Sequence, residues 1–416
     1  METLHKVYPD LYGKIYDEKD MDARFAALKA THKEVFGTDA TALFSTAGRT
    51  ELAGNHTDHN LGCVIAGTIN LDTIAAVSLR DDKRIILQSE GFPTVDVDVN
   101  DLTIHEDEKN TTHSLIRGIA KAFENRGLKV SGFQANTTTR VLKGSGLSSS
   151  AAIEVLIGEI LNSLFNEDKL APVEIAKIGQ YAENVYFGKP SGLMDQIGCA
   201  EGGVVGIDFK DNKNPVLTPL AIDFAQYGLN LVIVDTKGNH ANLTPDYAAV
   251  PNEMRAVAAY FGKSALRDVC YKEFLNSLKA VRETVKNDRA ILRAYHYFNE
   301  NMRVEKMLKA LENKDINEYL RLVKKSGRSS FEYLQNVYST LDVKEQGLSL
   351  GLAVAEEILK DEGAYRVHGG GFAGTIQAYV PSSKLEEFKA TMDGLFGDGS
   401  ATVLAIRKAP TCRIDK

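Results

Sequence analysis

A run of glycines and serines in the middle of the chain suits the binding of an anion. Residues 143–154 read Lys-Gly-Ser-Gly-Leu-Ser-Ser-Ser-Ala-Ala-Ile-Glu. Residues 133–141 alternate between two faces, and apolar residues recur at helical spacing from 153 to 164, so a strand, a turn and a helix are expected. The first turn of a helix leaves backbone N–H groups unpaired, and these stabilise a phosphate. The run therefore predicts a phosphate-binding turn.

The composition of this turn, which we call the serine turn, goes beyond what a helix start needs. Gly144 and Gly146 let the backbone approach an anion closely. The hydroxyls of Ser148–Ser150 can cap the helix, donate to phosphate oxygens or ligate Mg²⁺. An ordinary helix cap is the simpler interpretation of one serine, but capping does not need three. The common phosphate-binding loop, Gly-x-x-x-x-Gly-Lys-Ser/Thr, is absent.

A second polar stretch gathers a cation, carboxylates and imidazoles within a few residues. Residues 48–60 read Gly-Arg-Thr-Glu-Leu-Ala-Gly-Asn-His-Thr-Asp-His-Asn. A stretch of this polarity is more often a surface loop than a functional site. Its charged and imidazole side chains lie between glycines that permit sharp turns, which favours a site.

The composition limits the possible functions. With 416 residues the chain predicts two domains, possibly three. A net charge of −7 argues against a general binder of nucleic acid or of anionic membranes. The four scattered cysteines suggest neither zinc nor a disulfide framework, and no run approaches the ~20 apolar residues of a membrane span. We expect a cytoplasmic protein, a monomer or weak homo-oligomer, that acts on a small molecule.

Periodicity predicts the remaining elements. We expect a helix over 19–36, ended by Gly37, and a strand over 42–46. An apolar strand from Leu229 starts the second domain, and residues 253–325 are mostly helical in pattern. A glycine loop and a strand follow over 367–380.

These motifs together resemble one kinase superfamily. The serine turn is similar to the second signature of the superfamily that contains galactokinase, homoserine kinase, mevalonate kinase and phosphomevalonate kinase. Residues 48–60 are identical at eight of thirteen positions to the galactokinase signature Gly-Arg-Val-Asn-Leu-Ile-Gly-Glu-His-Thr-Asp-Tyr-Asn. Residues 181–196 and 367–380 resemble two further family segments, and residues 239–247 resemble a third in part.

The resemblance implies a fold and an activity. It implies an α+β fold in two lobes, residues 1–220 with the sugar signature and serine turn, and residues 221–416 with the glycine loop 369–374. ATP and sugar would lie in the cleft between the lobes. The implied reaction is transfer of the γ-phosphoryl group of ATP to the anomeric hydroxyl of galactose, which gives galactose 1-phosphate.

The resemblance also implies roles for individual residues. Asp195 would be the catalytic base or orienter of the sugar hydroxyl, with Arg49 keeping it ionised. Ser150 and Glu183 would ligate Mg²⁺. The residues expected to bind the sugar are Asn55, His56, Asp58, Gly192 and Tyr247. The residues expected to bind ATP are Gly144, Ser145, Gly146, Leu147, Ser148, Ser149, Ser150, Ala151, Gly370 and Gly371.

Two departures from the family pattern leave the sugar open. Asn55 stands where galactokinases have a glutamate near C6 of the sugar, and His59 replaces the usual tyrosine. Galacturonic acid and an N-acetylhexosamine are therefore alternative substrates. For galacturonic acid the reason is electrostatic, because Asn55 would not repel a carboxylate at C6. In another interpretation Asn55 only bonds its own loop. A sugar-and-ATP sensor is the alternative from another class, but Arg49, Asp195 and the complete serine turn favour an enzyme.

Overall fold

A computed structural model describes residues 2–142, 144, 146–239 and 242–416 of the chain. The structure contains α-helices and two β-sheets in which most strand pairs are antiparallel. The helices are α1 (Glu2–Tyr12), α2 (Glu18–Phe36), α3 (Thr112–Glu124), α4 (Ser149–Phe165), α5 (Pro172–Tyr181), α6 (Met194–Ala200), α7 (Thr244–Tyr260), α8 (Tyr271–Asn276), α9 (Leu278–Val285), α10 (Asp288–Glu312), α11 (Ile316–Ser329), α12 (Gly347–Leu359) and α13 (Leu385–Phe396).

Runs of strands and runs of helices follow one another along the chain, which is typical of an α+β fold. The strands are β1 (Ala42–Ala53), β2 (Cys63–Leu79), β3 (Arg84–Ser89), β4 (Val95–Asp98), β5 (Phe133–Thr139), β6 (Val204–Asp208), β7 (Val216–Leu220), β8 (Leu229–Asp235), β9 (Ala364–Val367), β10 (Thr375–Pro381), β11 (Ala401–Leu404) and β12 (Cys412–Arg413).

The larger sheet is built around the long strand β2. Its path runs β12-β1-β2-β5-β3-β4, and the first half of β2 also pairs with β6, which pairs with β7. The pair of β3 and β5 is parallel, whereas β2 is antiparallel to β1, β5 and β6. β2 is 17 residues long, so different parts of it can pair with different strands on one side.

The smaller sheet has the order β11-β8-β10-β9 and is antiparallel throughout. One apolar cluster joins it to the larger sheet, because Leu52 and Ile65 of β1 and β2 pack in the same core as Leu231, Ile233 and Tyr379 of the smaller sheet. The two sheets therefore share a core.

The end of the chain returns to the larger sheet. β12 pairs with β1 through Phe44 with Arg413 and Ser45 with Cys412. The last residues of the predicted lobe 221–416 thus bond to the sheet of the other predicted lobe. The division after residue 220 stays a prediction.

Several predicted elements are confirmed, and one is longer than expected. Asp17 caps the start of α2, because its carboxylate accepts hydrogen bonds from the N–H groups of Lys19 and Asp20 at 2.8 and 3.2 Å. Gly37, with φ +70°, caps its end. The strand predicted over 42–46 continues to Ala53, so the first part of the second polar stretch is a buried strand and not a surface loop. Among the described residues, none of the helices combines the length and the apolar character that a membrane span requires.

Candidate active site

Arg49 lies in β1, where the strand is irregular. The register of β1 against β2 shifts between Ala47 and Arg49 and again between Glu51 and Ala53. Such bulges change the direction in which side chains point. Arg49 is 5% exposed, and its backbone N–H donates to the carbonyl of Leu147 at 3.1 Å. The sheet thus fixes this arginine beside the serine turn.

The Arg49 guanidinium joins the serine turn to Asp195, at the start of α6. Its Nε and Nη2 donate to Asp195 Oδ1 at 2.9 and 2.7 Å, and its Nη1 donates to the carbonyl of Gly146. Ser148 Oγ donates to the other carboxylate oxygen, Oδ2, at 2.6 Å. We call Arg49, Ser148 and Asp195 the transfer site.

The transfer site keeps Asp195 ionised while part of it faces solvent. The Asp195 side chain is 40% exposed, against 6% for that of Arg49. Burial raises the pKa of Asp195, but the Arg49 charge and the Ser148 hydrogen bond outweigh it, so the pKa lies below its ordinary value. The result is an ionised, accessible carboxylate held in a fixed direction.

The serine turn leads directly into α4. Gly144 and Gly146 have φ of +74° and +69°, a conformation that glycine adopts without strain. Ser148 precedes the helix with φ +61° and makes no side-chain cap, because its hydroxyl is bonded to Asp195. Ser145, predicted to bind ATP, lies outside the described residues.

The other residues predicted for ATP in this turn differ in exposure. Leu147 and Ala151 are buried, whereas Ser149 is half-buried and Ser150 is exposed at the first turn of α4. The open hydroxyls therefore lie at the positive end of the helix.

Glu183 lies in a π-helical turn, Ala182–Phe187, that continues α5. Its Oε1 accepts from Lys189 Nζ at 2.8 Å and its Oε2 from Gln196 Nε2 at 2.9 Å. The same Gln196 nitrogen donates to Glu154 Oε2 at 3.0 Å. Burial and the charge of Glu183 raise the pKa of Glu154 well above its ordinary value. Glu183 and Glu154 thus share one amide donor, and a second negative charge beside Glu183 is disfavoured.

Asp58 and Gly192, both predicted to bind sugar, are neighbours. A Cβ atom on Gly192 would lie 2.6 Å from Asp58 Oδ2. The Asp58 side chain is 12% exposed. Gly192, which lies three residues before Asp195, thus leaves room for the Asp58 carboxylate.

The glycine loop 369–374 takes hydrogen bonds from three predicted sugar-binding residues. Asn55 Nδ2 donates to the carbonyl of Gly369 at 2.7 Å, and His56 Nε2 donates to that of Gly370 at 2.9 Å. The hydroxyl of Tyr247 donates to the carbonyl of Gly371 at 3.0 Å. Three consecutive carbonyls therefore hold the side chains predicted to meet sugar hydroxyls.

The position of Asn55 does not fit its predicted contact with the sugar. Its side chain has no exposed surface. Besides Gly369, Nδ2 donates to Glu51 Oε1 at 3.1 Å, while Oδ1 accepts from Asn336 Nδ2 at 2.8 Å and Ser330 Oγ at 3.1 Å. All its hydrogen-bonding capacity is used inside the protein. Contact with a sugar would require these bonds to break, which favours the interpretation in which Asn55 bonds within the protein.

Sequence reasoning missed four residues around the site. Glu154 carried a signal, because it is one of only two carboxylates in a largely apolar helix. Gln196 and Lys189 lie inside the segment 181–196 that resembles the family. Asn336 gave no signal, since its contact with Asn55 joins residues 281 positions apart.

Two family profiles match the chain. The profile described as "GHMP kinases N terminal domain" matches residues 114–203, which contain the serine turn, Glu183 and Asp195. The profile described as "Galactokinase galactose-binding signature" matches residues 30–79, which contain Arg49 and Asp58.

Curated relatives match over most of their length. The galactokinase of Streptomyces coelicolor is 30% identical over 369 residues, covering 88% of this chain and 91% of the relative. A galactokinase of Actinobacillus pleuropneumoniae is 30% identical over 364 residues, covering 86% of this chain and 91% of the relative.

Solved structures share the fold. A Lactococcus lactis galactokinase in complex with galactose superposes with a TM-score of 0.79 at 24% identity, covering 94% of this chain and all of that one. A mevalonate kinase superposes with a TM-score of 0.61 at 16% identity, covering 89% of this chain and all of that one. At these identities the match shows the fold alone, and it confirms the predicted α+β kinase fold.

Proposed function

We propose that this chain, which belongs to the galactokinase family, transfers the γ-phosphoryl group of ATP to the anomeric hydroxyl of galactose. The observation that carries the proposal is the transfer site: Asp195, ionised and 40% exposed, is held by Arg49 and Ser148 at the end of the serine turn. A sugar hydroxyl at Asp195 and phosphates at the serine turn would then be adjacent.

Asp195 orients the anomeric hydroxyl and accepts its proton as the oxygen attacks the γ-phosphorus. The bond from that phosphorus to the bridging oxygen of ADP breaks, so the products are galactose 1-phosphate and ADP. A loose, in-line transition state needs alignment and charge neutralisation rather than a covalent enzyme intermediate. Arg49 serves both needs, because it fixes Asp195 and carries a positive charge between it and the serine turn.

Glu183 and Ser150 are proposed to hold the Mg²⁺ that accompanies ATP. In the described residues no group of three or more His, Cys, Asp or Glu side chains could hold a metal. Mg²⁺ is usually held by one or two protein oxygens plus substrate phosphates and water, so one carboxylate and one hydroxyl suffice as protein ligands. When bound, Mg²⁺ neutralises phosphate charge. The chain supplies a buried carboxylate, Glu183, kept in place by Gln196, and an exposed hydroxyl, that of Ser150.

Asp58, Gly192, His56 and Tyr247 are proposed to bind the sugar, and the serine turn with Gly370 and Gly371 to bind ATP. His56 and Tyr247 would exchange the carbonyls of the glycine loop for sugar hydroxyls. We place both substrates in the cleft between residues 1–220 and 221–416. A monomer or weak homo-oligomer in the cytoplasm is also part of this proposal.

Galactose is favoured over galacturonic acid. The case for an acidic sugar rested on Asn55 at C6, and Asn55 is fully bonded within the protein. The intact transfer site likewise favours an enzyme over a sugar-and-ATP sensor.

The test is ADP release from the purified chain with galactose, glucose, galacturonic acid, N-acetylgalactosamine or no sugar. We expect kcat/KM for galactose to exceed every other value by at least about tenfold, the discrimination one specific contact provides. A higher value for another hexose would replace galactose as the substrate. ADP release that ignores all sugars would refute the kinase assignment.

A further inference from the structure

Glu183 and Lys189 form an ion pair in which the carboxylate is buried and the lysine side chain is exposed. The carboxylate is 6% exposed and its Oε2 is fixed by Gln196, whereas the lysine side chain is 57% exposed. Lys189 follows the π-helical turn and Gly188, whose φ is +88°, so it lies in the irregular segment before α6. The acid is therefore held by the fold, while the ammonium group can move away.

The Lys189 ammonium is stabilised by two carboxylates. It donates to Glu183 Oε1 at 2.8 Å. The charge of Asp195 also stabilises it. Arg49 already neutralises Asp195, but in the described residues Lys189 is the cation paired with Glu183. The positive charge of Lys189 thus balances the carboxylate of Glu183.

We propose that Lys189 is an internal counter-cation, which occupies the place of the divalent metal at Glu183 until the metal displaces it. The proposal rests on the assignment of Glu183 as a metal ligand in the proposed function. Lys189 and a metal ion compete for Oε1, because two cations on one carboxylate oxygen repel each other. The ion pair therefore weakens metal binding and keeps Glu183 paired when no metal is present.

The competition is measured with Mn²⁺ as the probe metal, by electron paramagnetic resonance in saturating ADP. Lys189→Met removes the competing ammonium and keeps a long, unbranched side chain. We expect the dissociation constant of Mn²⁺ to fall about fivefold, in line with the strength of a partly exposed ion pair. Lys189→Arg keeps the cation and should restore the wild-type value.

Lys177→Met is the matched control. Lys177 pairs with Glu174 on α5 at 2.7 Å. Its replacement removes the same charge but leaves the ion pair of Glu183 intact. If Lys189→Met binds Mn²⁺ no more tightly than Lys177→Met, or more weakly than wild type, the counter-cation role is overturned. Glu183→Gln separates the two assignments: Mn²⁺ binding that it leaves unchanged would instead remove Glu183 from the metal site.

Discussion

The polar side chains of the site find their hydrogen-bond partners differently in two regions. In the transfer site, functional side chains bond each other, since Arg49 and Ser148 both donate to Asp195. At the glycine loop, His56 and Tyr247 donate to backbone carbonyls instead. Buried polar groups need hydrogen-bond partners. A ligand-binding side chain therefore bonds a protein group when no ligand is present.

The difference follows from where the residues come from. β1, the serine turn and α6 all belong to the part of the chain around the larger sheet, so the transfer site is assembled within one framework. The glycine loop joins β9 to β10 of the smaller sheet and meets His56 across the boundary between the sheets. The transfer site is therefore preorganised, whereas the sugar side must exchange hydrogen bonds when its ligand arrives.

The largest expected effect is at the transfer site. Asp195→Asn keeps the shape of the side chain but cannot accept the proton, so we expect kcat to fall at least about a hundredfold. ATP binding should stay near the wild-type level when measured by calorimetry. Asp81→Asn, at an exposed turn, is the control. A variant that retains more than about a tenth of wild-type kcat would remove Asp195 from the mechanism.

The second effect should appear in stability rather than in specificity. In Asn55→Asp, a carboxylate would replace the amide that donates to Glu51 and Gly369. We expect the free energy of unfolding, measured in urea, to fall by about 1–3 kcal/mol, the cost of buried groups left without partners. The exposed Asn252→Asp on α7 should change it by less than about 0.5 kcal/mol.

The same variant also tests whether Asn55 contacts the sugar. A residue that reads C6 of the sugar would change the ratio of kcat/KM for galactose and galacturonic acid. We expect that ratio to stay the same in the folded Asn55→Asp protein. A changed ratio at unchanged stability would return Asn55 to the sugar site.

The comparison also explains what the sequence could predict. Arg49, Asp195 and the serine turn lie in contiguous motifs whose residue types match their proposed roles, so these roles could be predicted from the sequence. The structural role of Asn55 was not, because its partners Ser330 and Asn336 lie more than 270 positions away in the chain. Periodicity found α2 and β5, but it could not say that residues 47–53 would continue β1 as a buried strand. Pairing with β2 decided that.

A third effect should appear in sugar binding. Gly192→Ala places a Cβ atom 2.6 Å from Asp58 Oδ2, so the carboxylate must shift. We expect KM for galactose to rise about tenfold while KM for ATP changes little, since small displacements of a positioning residue are costly. Gly394→Ala in α13 meets nothing within 4 Å and serves as the control. Unchanged KM for galactose would place Asp58 outside the sugar site.

The smallest effect concerns His56 and pH. Burial lowers the pKa of His56 to about 4, against 6.5 for an ordinary histidine. The neutral ring donates from Nε2 to Gly370 in the folded protein, while the unfolded chain binds a proton below pH 6.5. His56 therefore contributes stability above pH 6.5, and this contribution is lost as pH falls toward about 4.

His56→Gln keeps a donor near the Nε2 position but has no proton to bind in this range. We expect the free energy of unfolding of wild type minus that of His56→Gln to decrease steadily from pH 7 to pH 4.5. Taking the difference cancels the titration of the other buried histidines, His32 and His296, whose pKa values burial also lowers. A difference independent of pH would mean that His56 titrates normally in the folded protein. The glycine loop would then not keep the His56 ring from solvent. The transfer site and the glycine loop would differ less than their hydrogen bonds indicate.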